Sequence, residues 1–259
     1  MECTLRDAQR LLKVLAHETL NGEAMTRRRV TFSLLLAFFM VAAGPQTFAD
    51  PNANSAFTLL FHGENALSGW IVRRWDDVSE PAESQWEVKD GILHGGEPRG
   101  SWLLSEREYG DFILEFEFKL GPLGNSGLAL RAPLDGDPAF DGIELQMAEL
   151  RYNPEAKPSE LTGGLYRAVE PSKNSYRSGE WNAYEVTMQG PQLRVRLNGE
   201  MIHDADLDQL KQTVKRHDGS DAPAIRDRPR RGRIGFQELS RGDEHVLIRN
   251  VRISELQSD

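Results

Sequence analysis

The sequence predicts an all-β protein in which two antiparallel sheets pack face to face. Three observations carry this. Apolar and polar residues alternate with period two through many short segments. Gly, Pro, Asn and Asp punctuate those segments at regular spacing. Only one stretch, 207–215, has a helical pattern, so there are no crossover helices to build a parallel sheet.

The clearest segment is 111–120. Phe112, Leu114, Phe116, Phe118 and Leu120 fall on one face, and Glu115, Glu117 and Lys119 on the other. This is a strand with one face buried. Trp86–Val88 and Ile92–His94 flank Asp90-Gly91, a hairpin signal. Tyr184, Val186 and Met188 alternate with polar residues, as do Leu193, Val195 and Leu197, with Asn198-Gly199 turning the chain. Residues 245–253 form a last strand. About a dozen strands are expected. Segments 132–141, 151–162, 168–180 and 216–231 are loop-like, and long rim loops commonly carry sites.

The chain has 259 residues and a net charge of -9. An acidic chain repels phosphate backbones, so nucleic acid is not an expected partner. One cysteine, Cys3, rules out a disulfide framework. Arg27-Arg28-Arg29, an apolar run 30–43 and Thr47-Phe48-Ala49 have the layout of a signal peptide cut after Ala49. The run is shorter than the roughly 20 residues of a membrane span. Translation is expected to begin at Met25, with 1–49 removed and 50–259 exported as one domain, periplasmic or extracellular, with no membrane span left after cleavage. Residues 50–259 carry 25 Lys+Arg against 36 Asp+Glu, a net -11.

Chemistry is concentrated on two strands. In 142–147, Glu144 and Gln146 share the face opposite Ile143, Leu145 and Met147. In 127–131, Arg131 is opposite Leu128 and Leu130 in the alternation. If the strands are neighbours, one face carries Arg131, Glu144 and Gln146. That set suits sugar hydroxyls or proton transfer, and equally a solvated face with an ordinary ion pair. Gly124-Asn125-Ser126-Gly127 reads as a tight turn. The six histidines lack metal-ligand spacing. Most of the five tryptophans are expected in the core. No nucleophile elbow, P-loop or dinucleotide fingerprint is present.

Nine stations then follow in order. They are Leu60-Phe61-His62-Gly63 with Leu67-Ser68-Gly69-Trp70, Trp86–Leu93, Trp102-Leu103-Leu104 with Tyr109–Phe112, and Gly124–Gly127 with Arg131. Gly142–Gln146, Thr162–Tyr166, Trp181-Asn182 with Tyr184, Leu197–Gly199, and Gly235–Gln237 with Arg249–Ile253 complete the set. Together they resemble the 3-keto-disaccharide hydrolase domain family over about 57–256. The resemblance implies a concanavalin-like jelly roll and an exported enzyme acting on glycosides oxidised at C3.

It implies that Asn125, Arg131, Glu144 and Gln146 line the cleft. Glu144 would be the base, or the ligand of a divalent cation, and Arg131 would stabilise the enolate or orient the sugar. Asn125 and Gln146 would bind hydroxyls. His62 stands where the family usually has Asn, and Glu238 keeps a carboxylate where the family has Asp-His-Gly; both are taken as substrate-binding positions. The implied route is proton abstraction at C2, elimination at C1 and hydration. A two-carboxylate glycosidase would need a second acid, for which Glu149 and Glu238 are the candidates. A non-catalytic carbohydrate-binding module is the alternative, because fold alone does not decide function.

Overall fold

A computed structural model describes residues 56–257 except Glu64. The expectations for 1–49 lie outside the described residues. No helix among the described residues is long and apolar enough to cross a membrane.

Thirteen strands form two antiparallel sheets, matching the alternation. The first sheet holds β1 (Thr58–Leu59), β3 (Glu87–Lys89), β4 (Ile92–His94), β6 (Phe112–Lys119), β9 (Asn182–Gln189), β10 (Gln192–Leu197), β11 (Glu200–Asp206) and β13 (Leu247–Glu255). Its order is β11-β10-β9-β6-β13-β4-β3, with β1 on β13. The second holds β2 (Trp70–Arg74), β5 (Ser101–Ser105), β7 (Asn125–Ala132), β8 (Ile143–Ala148) and β12 (Arg233–Glu238), in the order β2-β5-β12-β7-β8.

The expected hairpins are present. Asp90 and Asn198 take positive φ (53° and 54°) with glycine following, the backbone that a two-residue hairpin turn requires. Between the sheets lies one apolar core, with Phe112, Leu114, Phe116 and Phe118 of β6 meeting Leu128, Leu130, Leu145, Met147 and Phe236 of the second sheet. A smaller cluster of Val78, Trp102, Leu104, Ala129 and Ala132 covers the outer face of the second sheet.

Two expectations change. Residues 207–215 form only a 3-10 turn at Leu207–Gln209, then run on to pair Lys215 with Asp221. So short a segment cannot sustain a helix alone, and Leu207 is buried by the turn already. The tight turn lies at 121–124, closed by Gly124 N–H to Gly121 O, while Asn125–Gly127 already belong to β7. Of the tryptophans, Trp86 and Trp102 are buried and Trp70 packs partly against the core. Trp181 lies under the Arg249 guanidinium, 4.0 Å from its ring centre.

Candidate functional site

The outer face of the second sheet carries a cavity of about 480 Å³. Its floor comes from β7, β8 and β12, which place Asn125, Glu144, Gln146, Ala148 and Gln237 side by side. Strands β7 and β8 pair with Ala129 opposite Glu144 and Gly127 opposite Gln146. The loops after β7 and β8 and the segment around 217 form the walls.

Glu144 is 2 % exposed, and its Oε1 has no hydrogen-bond partner among the described residues. Its carboxyl folds over Gly127: a Cβ there would stand 1.9 Å from Oε1. Burial raises the Glu144 carboxyl well above the ordinary carboxylate range, the Asp137 charge raises it further, and Arg167 opposes both. An orphaned, desolvated carboxyl in a polar cavity is a mark of a functional group.

Asp137 caps a four-residue helix, α1 (Pro138–Asp141), by accepting the Ala139 amide at 3.0 Å. Burial pushes its carboxyl up to about 7; the Ala139 bond lowers it and Asp141 raises it. Arg216 grips Asp141 through two bonds, of 2.9 and 2.5 Å. That grip fixes the neighbouring His217 edge-on against Phe140 (5.3 Å between ring centres) and Trp75 (5.5 Å). Burial, then the Arg167 charge, lowers the His217 pKa, so its ring favours the neutral form. Tyr166, raised strongly by burial and by Glu144, stays a phenol. Arg167 spans Glu160 at 2.9 Å and the Lys215 carbonyl at 2.8 Å.

The amides are free to bind. Asn125 Oδ1 is buried without a partner among the described residues. Gln146 Oε1 accepts the Met147 amide at 2.9 Å, and among the described residues no group accepts from its NH2. Glu149 also lines the cavity, but its Oε1 accepts from Tyr176 Oη (2.6 Å) and Ser178 Oγ (2.7 Å). It is thereby held as an acceptor.

The structure thus brings Asn125, Glu144 and Gln146 together and parts them from three other expected residues. Arg131 is fully buried and outside the cavity. Its φ is 51°, and a step of three positions on β7 (129 to 132) faces a step of two on β12 (233 to 235), one extra residue in β7. This bulge puts Ala132, not Arg131, on the outer face. The guanidinium instead crosses to the first sheet, bonding Gly110 O, Gly190 O and Asp111 Oδ1, each at 2.9 Å.

Glu238 is fully buried, accepting Ser240 N–H at 2.6 Å and Val246 N–H at 3.0 Å, so it shapes the 239–246 turn. His62 is exposed on a turn outside the cavity. Among the described residues, no three His, Cys, Asp or Glu side chains converge to hold a metal.

Strand periodicity missed Asp137, Tyr166, Arg167 and His217, because they come from loops. The Asp-Pro step at 137–138 was a legible helix-start signal, but nothing in it marked a site.

No curated protein matches the chain. Among solved structures, a candidate glycosyl hydrolase from Parabacteroides distasonis is 25% identical with a TM-score of 0.63, covering 78% of this chain and 100% of that one. A second from the same organism is 22% identical with a TM-score of 0.60, covering 80% and 96%. The model of the 3-keto-α-glucoside-1,2-lyase-like domain matches residues 56–254, and the chain belongs to that family.

Proposed function

We propose that this chain cleaves 3-keto-glycosides by elimination across C1 and C2, followed by hydration. The observation that carries the reading is the pair of buried carboxyls, Glu144 and Asp137, whose surroundings hold their protons to different extents in one polar cavity.

The chemistry needs a base at C2 and an acid at the leaving oxygen. A 3-keto group acidifies the C2 hydrogen. Asp137, at about 7, is ionised in useful fraction near neutral pH and takes that proton. The electron pair moves into an enolate on the C3 oxygen. As the ketone re-forms, a C1=C2 bond forms and the C1–O bond breaks. Glu144, kept protonated by burial, gives its proton to the departing oxygen. This exchanges the base role expected for Glu144 for that of the acid, because desolvation penalises its ionised form. Water then adds across C1=C2, with hydroxyl to C1 and hydrogen to C2, giving the free 3-keto sugar. Arg167 places positive charge near the site, and Asn125, Gln146 and Gln237 supply amides for hydroxyls. Export rests on the Arg27–Ala49 layout alone.

The test is to follow aglycone release from a 3-keto-glucoside and from its unoxidised parent. Release from the keto compound alone, lost in Glu144→Gln, is the expected result. Release from the parent would instead favour a two-carboxylate glycosidase. Sugar binding without release from either compound would make the protein a carbohydrate-binding module.

A further inference from the structure

The cavity has a cationic rim that the elimination chemistry does not use. Arg99, Tyr152 and Arg241 come from three different loops and converge there. Arg99 donates Nη2–H to the Tyr152 phenol oxygen at 2.8 Å, with its guanidinium carbon 5.9 Å from the ring centre. Arg241 lies 4.3 Å from the same ring centre and donates to the Tyr152 carbonyl at 3.2 Å. Arg99 and Tyr152 line the cavity, and Leu239, two residues before Arg241, lines it as well.

Charge makes this rim unusual. Residues 50–259 carry a net -11, and thirteen arginines among the described residues have an ion-pairing carboxylate. Arg99 and Arg241 have none among the described residues, although both are exposed and each keeps donors to spare. The Tyr152 ring under Arg241 and the Tyr152 phenol oxygen bonded to Arg99 restrain both guanidiniums, which lowers the entropy lost when they grip a ligand. A fork-shaped donor held in place with no carboxylate paired to it among the described residues is complementary to a carboxylate. Glu144 sits at the floor and Asp137 on the adjoining wall, so a sugar reacting between them extends its remaining part toward this rim.

We infer that Arg99 and Arg241, flanking Tyr152, bind a carboxylate carried by the leaving group of the glycoside. This rests on the proposed cleavage of 3-keto-glycosides at the same cavity. The substrate class is thereby narrowed to glycosides with an acidic aglycone, such as an aromatic acid or a sugar acid.

The experiment compares two 3-keto-glucosides that differ only in the leaving group, 4-carboxyphenyl and 4-carbamoylphenyl. Affinities are measured by calorimetry in the Glu144→Gln protein, and kcat/KM in wild type. The carboxylate compound should bind about tenfold more tightly than the amide, as expected for charge-assisted bonds at a partly solvated rim. Raising the salt concentration should weaken that preference. Replacing both arginines (Arg99→Gln with Arg241→Gln) should bring the ratio near one, while the double Lys variant should keep part of it. Melting temperatures would establish that both variants are folded.

Equal affinities for the two compounds overturn the inference. So does a preference that survives the double Gln change, or binding of neither compound. If the binding preference holds but wild type cleaves neither compound, the lyase reading falls and the rim site stands.

Discussion

Gly127→Ala tests the placement of Glu144 without removing or adding a polar group. The φ at Gly127 is not in the left-handed region, so the strand accepts alanine without backbone strain. The new methyl carbon would stand 1.9 Å from Glu144 Oε1, 2.8 Å from Cδ and 2.9 Å from Cγ. Ordinary contact begins at 3.4 Å, so the carboxyl must retreat by about 1.5 Å. A misplacement of about 1 Å at a reacting centre costs roughly 100-fold in rate, or about 2.7 kcal/mol of transition-state stabilisation. The displaced group is the end of a flexible side chain, so stability should fall by no more than the ~1–3 kcal/mol of an overpacked site. For a domain of this size that is a drop in Tm of roughly 10 °C at most. The assay pairs kcat/KM for aglycone release with a thermal melt. A folded Gly127→Ala protein within threefold of wild-type kcat/KM would refute the argument, because Glu144 would then work from elsewhere.

Four further outcomes follow from the same geometry. The rate should rise with pH as Asp137 ionises near 7, then fall at higher pH as Glu144 loses its proton; a profile flat from pH 5 to 9 would contradict the paired roles. Stability should run the other way. The native Asp137 holds its proton up to about pH 7 while the unfolded chain releases it near 3.8, so the stabilisation is complete below 3.8 and lost as pH rises toward 7. The loss is up to about 4 kcal/mol, and denaturant unfolding at pH 5 and pH 7.5 should show it shrinking in Asp137→Asn. Arg131→Gln should cost roughly 3 kcal/mol of stability, because it takes the ion-pair partner from Asp111, which keeps only the Gly190 amide, and the donors from two carbonyls. Active-site titration should find kcat per folded molecule unchanged, and a selective loss of kcat would return Arg131 to the chemistry. Finally, Tyr176→Phe should release Glu149 from one of its two donors and lower Tm by about 2–4 °C, read by calorimetry.

Period-two alternation named β3, β4, β6, β9, β10 and β13 of the first sheet and β7 and β8 of the second, because a strand between core and solvent must alternate wherever one face is buried. Residues 112–119 show this, with Phe112, Leu114, Phe116 and Phe118 all inward. Glu144 and Gln146 were legible for the same reason: they stand on the polar side of a strand whose other side is Ile143, Leu145 and Met147. Arg131 was misplaced by that very rule. A bulge adds one residue and inverts the faces beyond it, and nothing in Leu128–Ala132 announces the extra residue.

Glu238 kept its carboxylate in sequence, but folding bent the 239–246 turn around it and spent both oxygens on backbone amides. The loop residues were hidden because irregular segments have no period; Asp137 and His217 reach the cavity only after Arg216 ties their loops together through Asp141. The sequence by itself determined the two-sheet architecture, the family and the floor of the site, because strand alternation and ordered motifs are local properties of the chain. Tertiary structure alone decided the partner acid, the absence of Arg131 and the cationic rim, because each depends on contacts between segments far apart in sequence.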